Sequence, residues 1–348
     1  MAARQVEALL VTHLPDVRWL SGFTGSNAAL AIAPAKAALF TDGRYTMQAR
    51  EEVRGARVVI AKKSVLQEAC AFLAGAAPKA SFDAEHTTVA DLDRMRSGLS
   101  PKIRRSFFTP LKAPLVSALR IAKDDTELAL IEEAAALGCV LFDAILPRID
   151  AGMTEISLAA ELEFLARSMG AEGMSFETIV ASGPRSALPH GRATSATLPR
   201  NGFITLDFGV ILKGYCSDMT RTVRLGRATE EERIAFDAVL SAQQAAVDAV
   251  QPNATCGEVD EAARSVLRSA GLAQYFTHST GHGVGLEIHE QPRIAAAQQT
   301  RLVPGMIVTI EPGVYLPGKF GVRIEDMVAV TADGHRVLTP IKKSWIEL

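Results

Sequence analysis

Residues 202–226 read GFITLDFGVILKGYCSDMTRTVRLG. Two strand-like segments, GFITLDFGV and DMTRTVRLG, each set one carboxylate among apolar neighbours: Asp207 in the first and Asp218 in the second. Strand side chains alternate between faces, and a charge on an apolar strand needs a partner. The stretch Val210 to Gly214 lets the chain turn, which would bring Asp218 opposite Asp207. Two carboxylates on paired strands are either a repulsive defect or a cation site. For either residue alone the competing reading is a turn cap or an ion pair with an arginine such as Arg221.

Further along, more donors of the same kind follow. Glu311 ends the apolar run Met306–Ile310, directly before Pro312 and Gly313, where a solvated glutamate would be out of place. In Gly321–Glu325 the two-residue strand period puts Arg323 and Glu325 on one polar face of an apolar segment. His282 stands between Gly281 and Gly283, and the missing side chains would let its imidazole approach a crowded centre. Of the seven histidines, His190, His278, His282 and His289 lie in this half, three of them between positions 278 and 289. Four carboxylates and an imidazole are the donor set of a carboxylate-bridged pair of divalent cations. Oxygen donors favour manganese or cobalt, with zinc or iron also compatible. Four ionised carboxylates would balance two such ions, so a bridging water would lose its proton readily.

The 348 residues are long for a single core, which argues for two domains, and 48% hydrophobic content is enough to form a core. In residues 1–115 short apolar runs alternate with helical patterns: LLVT (9–12), AALAIA (28–33), AALFTD (37–42), RVVIA (57–61) and ASFDA (80–84). That pattern predicts a small α/β domain with a mixed sheet. The stretch Thr109–Pro114, with two prolines, marks the boundary. From 116 to 348 the pattern is α+β. Asp124 or Asp125 caps a helix with Leu128, Ile131, Ala135 and Val140 inward, and Thr154 caps another with Ile156, Leu158, Leu162 and Leu165 inward. Helices near 229–250 and 256–270 alternate with strand segments, suggesting two halves of similar build around one antiparallel sheet.

Thirty-seven basic against 39 acidic residues, a formal charge of -2, give no electrostatic case for nucleic acid or an anionic membrane surface. Cys70, Cys139, Cys216 and Cys256 form no CxxC pair, so neither a disulfide framework nor a thiolate zinc site is expected, and they read as reduced, mostly buried thiols. The first sixteen residues are too weakly apolar for a secretory signal, and no run approaches a membrane span, so the expected location is cytoplasmic.

The segments SGPRSALPHG, LDFG, YCSDMTRTV, HSTGHGVGLEIHEQP, IEPGVY and GVRIED, in this order, resemble the creatinase, prolidase and aminopeptidase P group of metallopeptidases. WLSGFTGSNAAL and FTDGRY are similar to that group's N-terminal domain, so the likeness spans nearly the whole chain. The resemblance implies a creatinase-like α/β domain over 1–115 and a pita-bread catalytic domain over 116–348. It implies that Asp207 chelates one metal, that His282 and Glu311 bind the other, and that Asp218 and Glu325 bridge them. Glu311 would also be the base for the attacking water. His190 and His289 match histidines that bind substrate and stabilise the tetrahedral intermediate. His278 would contact substrate or orient a neighbour, and Arg323 would orient Glu325 or meet a substrate carboxylate. Tyr215 and Thr220 would support the ligands from behind.

The implied reaction removes the residue preceding proline from short proline-containing peptides, in a homodimer holding two divalent ions per chain, manganese or cobalt first and zinc also compatible. A bond to proline has no N–H and a fixed φ, so proteases that rely on strand pairing handle it poorly. FTGS and DGRY look more like a short bacterial aminopeptidase P, and a prolidase restricted to dipeptides is the alternative. Methionine aminopeptidase does not need the N-terminal domain, and creatinase lacks this ligand set. A catalytically inactive pita-bread binding module is the rival of another class, but such modules lose ligands whereas this chain keeps all five.

Overall fold

The central strands of the first domain are apolar on both faces, and the structure gives the reason. The computed structural model describes Met1 and residues 5–348, and the chain divides into two compact units, Met1–Arg120 and Ile121–Leu348. The first holds strands β1 (Leu9–Val11), β2 (Ala28–Ala33), β3 (Lys36–Thr41), β4 (Arg57–Ile60), β5 (Ala80–Phe82) and β6 (Phe108–Pro110) in the order β4-β3-β2-β1-β5-β6. Pairing is antiparallel between β1, β2 and β3 and parallel elsewhere, the expected mixed sheet. Leu10, Ala29 and Ala31 enter one core and Leu9, Val11 and Leu30 enter another on the opposite face. Helices α1 (Leu14–Ser21), α2 (Thr46–Glu52), α3 (Val65–Ala74) and α4 (Val89–Ser97) accompany the sheet. Ser64 and Thr88 cap α3 and α4 by accepting from Gln67 N and Asp91 N. Thr109 and Pro110, read as linker in the sequence, belong to edge strand β6, where a proline's missing donor is tolerated.

The second unit begins after the short helix α5 (Ser117–Arg120). Asp124 caps α6 (Asp125–Ile145) with a reciprocal box to Glu127, and Thr154 caps α7 (Glu155–Ser168). Val140 and Ile156, expected inward, are 54% and 56% exposed. The cause is angular: at 100° per residue Ile156 lies about 200° from Leu158, and Val140 about 140° from Ala135. Strands β7 (Gly173–Met174), β8 (Ile179–Ser182), β9 (Gly202–Phe208), β10 (Val210–Leu212), β11 (Tyr215–Cys216) and β12 (Met219–Leu225) follow. Then come α8 (Glu230–Asp248), α9 (Cys256–Ser269), β13 (Gly281–Gly283), β14 (Glu290–Ile294), β15 (Ile307–Ile310), β16 (Gly313–Leu316), β17 (Phe320–Arg323), β18 (Asp326–Val330) and β19 (His335–Val337).

These strands form separate sheets, β12-β9-β8, β11-β10-β7, β14-β13-β15-β18-β19 and β16-β17, where a single sheet was expected. The half-and-half build is nonetheless visible. Helices α6 and α7 cover Ile204, Leu206, Phe208, Met219 and Val223, while α8 and α9 cover Val308, Ile310, Val322, Ile324 and Val328. Strand parity then sends Thr205, Asp207, Thr220 and Thr222 to the opposite face of β9 and β12, where the ligand candidates gather. The four cysteines are free, three of them buried. Among the described residues, no helix is long and apolar enough to cross a membrane.

Candidate metal centre

Pairing of β9 with β12 sets Thr220, not Asp218, across from Asp207. The chain does not return by a tight turn after Phe208. It makes the β10–β11 hairpin first, with Lys213 and Gly214 both at positive φ. Asp218 therefore lies beyond the last paired residue Met219, diagonal to Asp207 on the same face. The close approach at this point needs Gly209, since a Cβ there would fall 1.8 Å from Ser217 O.

Oxygens of Asp207, Asp218 and Glu325 lie within 4.8 Å of one another. From the second sheet, His282 on β13 places Nε2 3.6 Å from Asp218 Oδ2 and 3.6 Å from Glu311 Oε1. His282 Nδ1 donates to Gly283 O at 3.0 Å, which leaves Nε2 as the lone-pair nitrogen facing the carboxylates. All five expected ligands thus converge, and Asp218 is the member that faces both groups. The glycines beside His282 serve the sheet rather than the imidazole. A Cβ on Gly281 would lie 1.9 Å from Thr309 O, and one on Gly283 2.2 Å from Gln291 O.

The electrostatics call for cations. Burial first, then Glu325, pushes the Asp218 carboxyl well above its usual range; burial and Glu311 do the same to Glu325. Burial pushes Glu311 up to about 8 against the pull of Arg323. Asp207 Oδ1 is buried with no hydrogen-bond partner. Carboxylates crowded this way, with an orphaned acceptor and a neutral imidazole, fit divalent metal ions held by oxygen and nitrogen donors.

Arg323 is the arginine that meets this cluster, at 2.5 Å from Asp207 Oδ2 through Nη2. Its Nε donates to Thr220 Oγ1, and Nη1 to Pro189 O and the Tyr315 hydroxyl. Tyr315 in turn donates to His278 Nε2 at 2.9 Å, while His278 Nδ1 donates to Ser279 O at 2.8 Å, so both nitrogens of His278 are engaged within the protein. Burial depresses the His278 pKa to about 4, in keeping with a neutral ring. Thr220 Oγ1 donates to Glu325 Oε2 at 2.7 Å. Tyr215 donates to Glu127 Oε1 at 3.0 Å. His289 packs edge-on against His282, ring centroids 4.5 Å apart, and His190 is close enough to depress the His289 pKa, second to desolvation. His190 itself is solvent-exposed. Arg221, the arginine offered as a partner for Asp207 or Asp218, points the other way, to Asp326.

Sequence reasoning did not single out Tyr315 or Thr309. Thr309 Oγ1 accepts from His282 N and donates to Glu311 Oε1. Its signal was available, because Thr309 precedes Glu311 by two residues and shares its strand face. Tyr315 carried none beyond being a tyrosine in an apolar strand.

Both units of the chain match known proteins. Residues 129–332 match the model of metallopeptidase family M24, and residues 1–121 match the creatinase/prolidase N-terminal domain. The Xaa-Pro dipeptidase of Pyrococcus furiosus is 43% identical over 232 residues, 67% of each chain. The solved structure of an Xaa-Pro dipeptidase from Bacillus anthracis superposes with a TM-score of 0.95 at 38% identity, covering 100% of this chain and 96% of that one. That of an X-Pro aminopeptidase from Thermotoga maritima gives 0.90 at 34% identity, covering 100% and 99%.

Proposed function

The chain belongs to metallopeptidase family M24, and on that premise we propose that it hydrolyses the peptide bond between an N-terminal residue and proline, using two divalent cations. The observation that carries the two-ion reading is the position of Asp218, within reach of Asp207 and Glu325 on one side and of His282 on the other. In this reading Asp207 would hold one ion, His282 and Glu311 would hold the other, and Asp218 and Glu325 would serve both. Manganese or cobalt suits the donor set better than zinc. Such ions, when bound, would polarise the scissile carbonyl and lower the pKa of the attacking water.

The chain's own residues supply the rest. Glu311, partly enclosed and with Oε1 beside His282, takes the proton from water. His190 and His289, at the open side of the cluster, donate hydrogen bonds to the oxygens of the tetrahedral intermediate. His278 and Tyr315 hold Arg323, and Arg323 holds Asp207, so that row orients the ligand from behind.

The engagement of Arg323 bears on substrate length. Four of its five N–H donors are engaged by Thr220, Pro189, Tyr315 and Asp207, so it is a poor trap for the carboxylate of a dipeptide's proline. This favours an Xaa-Pro aminopeptidase that accepts longer chains. The Xaa-Pro dipeptidase reading is supported by the names of the Pyrococcus and Bacillus relatives. Metal-loaded protein given an Xaa-Pro dipeptide and an Xaa-Pro-Yaa tripeptide separates them: cleavage of the tripeptide is expected, and cleavage of the dipeptide alone overturns the choice. A homodimer is part of the same proposal, checked by light scattering.

A further inference from the structure

Thr220 and Arg221 are neighbours on β12, and Glu325 directly precedes Asp326, the first residue of β18. Strand alternation turns one member of each pair to the metal centre and the other away from it. The inward members are joined by Thr220 Oγ1 donating to Glu325 Oε2 at 2.7 Å. The outward members are joined by Arg221 Nη2 donating to Asp326 Oδ1, also at 2.7 Å. Between them Glu325 N donates to Thr220 O at 3.1 Å, and Arg221 Nη1 donates to the Glu325 carbonyl. The Glu325 main chain is thus gripped from both faces.

Behind Arg221 the grip continues into a segment more than a hundred residues away in sequence. Its remaining donors reach the carbonyls of Thr339, Ile341 and Lys342 at 3.2 Å each. Asp326 is closed off likewise by Thr339 Oγ1, Gln243 Nε2 and Lys343 Nζ. Arg221 and Asp326 are each only 1% exposed. A buried ion pair of this kind is weak evidence for stability, since apolar residues of similar volume often do as well. What it does supply is geometry, because a planar guanidinium bonded along its whole edge fixes the atoms it touches.

We propose that Arg221 is a positioning residue for Glu325, clamping its main chain between β12 and the Thr339–Lys343 segment so that the carboxylate is preset for the metal ions. The proposal rests on the metal-centre reading above. Partners one shell out from a metal typically change its affinity by about 10- to 100-fold. Arg221 donates to the main-chain carbonyls of Glu325 and of Thr220, the latter at 3.0 Å, and to none of the carboxylates of Asp207, Asp218 or Glu325, so its effect runs through the backbone of those two residues.

The test measures manganese binding to full-length metal-free protein by titration calorimetry, with thermal unfolding of the same samples. Arg221→Lys keeps the charge but lacks the fork, and is expected to weaken manganese binding by about tenfold or more. Its kcat at saturating manganese should return close to the parent's. Arg224→Lys is the control: Arg224 is a buried arginine on the same strand, paired with Glu232 rather than with the Glu325 segment, and should leave the affinity unchanged. If Arg221→Lys fails to fold, Asp326→Asn carries the same expectation. Lowered melting with parental manganese affinity, or equal weakening by Arg224→Lys, would overturn the clamp. A parent chain that binds no manganese would overturn the metal-centre reading itself.

Discussion

Arg323 donates to Asp207 Oδ2 at 2.5 Å, while the other oxygen of the same carboxylate, Oδ1, is buried without a hydrogen-bond partner. One side of Asp207 is neutralised by the protein, and in the proposed function the other would meet a cation. Replacing Arg323 by Met would leave Asp207 with neither partner in the metal-free state. Removing one member of a buried pair costs about 3–5 kcal/mol, so urea unfolding of metal-free Arg323→Met should show a loss of that order. The loss should narrow when metal is present, because the ion then supplies the missing charge.

Asp218 offers an oxygen to both halves of the cluster. Asp218→Asn is therefore expected to lower occupancy of both ions together, read as metal per chain after dialysis. Two ions retained per chain would contradict a shared ligand.

His289 touches the ring of His282 but is expected to act on substrate. His289→Ala should keep its metal and lose about 3–4 kcal/mol of transition-state stabilisation, seen as a fall in kcat of two to three orders of magnitude. An unchanged kcat would remove it from the mechanism.

In the first unit, Asp16 gives a pH dependence unconnected with the metals. Burial pushes its pKa up, but the bonds from His13 and Arg120 outweigh burial and hold it below its ordinary value. A carboxylate depressed in the folded state stabilises the fold above its unfolded pKa of about 3.9 and loses that contribution as pH falls through the folded value. Denaturant unfolding of the parent should therefore lose stability more steeply than Asp16→Asn as pH is lowered below about 4. Parallel profiles would show that the pair contributes nothing.

Much of the site was legible because its candidate ligands lie on strands, as Asp207 and His282 do, or one or two residues beyond a strand end, as Asp218, Glu311 and Glu325 do, where strand parity still suggests a face. Asp207, Glu311 and Glu325 each break an apolar run, and that local anomaly needs no tertiary knowledge. The diagonal placement of Asp218 was not legible, because the β10–β11 hairpin shifts the register between β9 and β12. Nor was the partner of Arg221, since Asp326 and the carbonyls near 340 reach it only through the fold. Val140 and Ile156 are apolar yet exposed, and residue type misleads there where helical angle decides.

Titration of metal back into chelator-stripped protein, with release of the N-terminal residue from an Xaa-Pro-Yaa peptide as the readout, tests the central claim most directly. Activity should be absent in the stripped protein, rise with added manganese or cobalt and level off at two ions per chain, with Glu311→Gln inactive throughout. Full activity after stripping, saturation at one ion, or no release at any loading would contradict a two-ion Xaa-Pro peptidase.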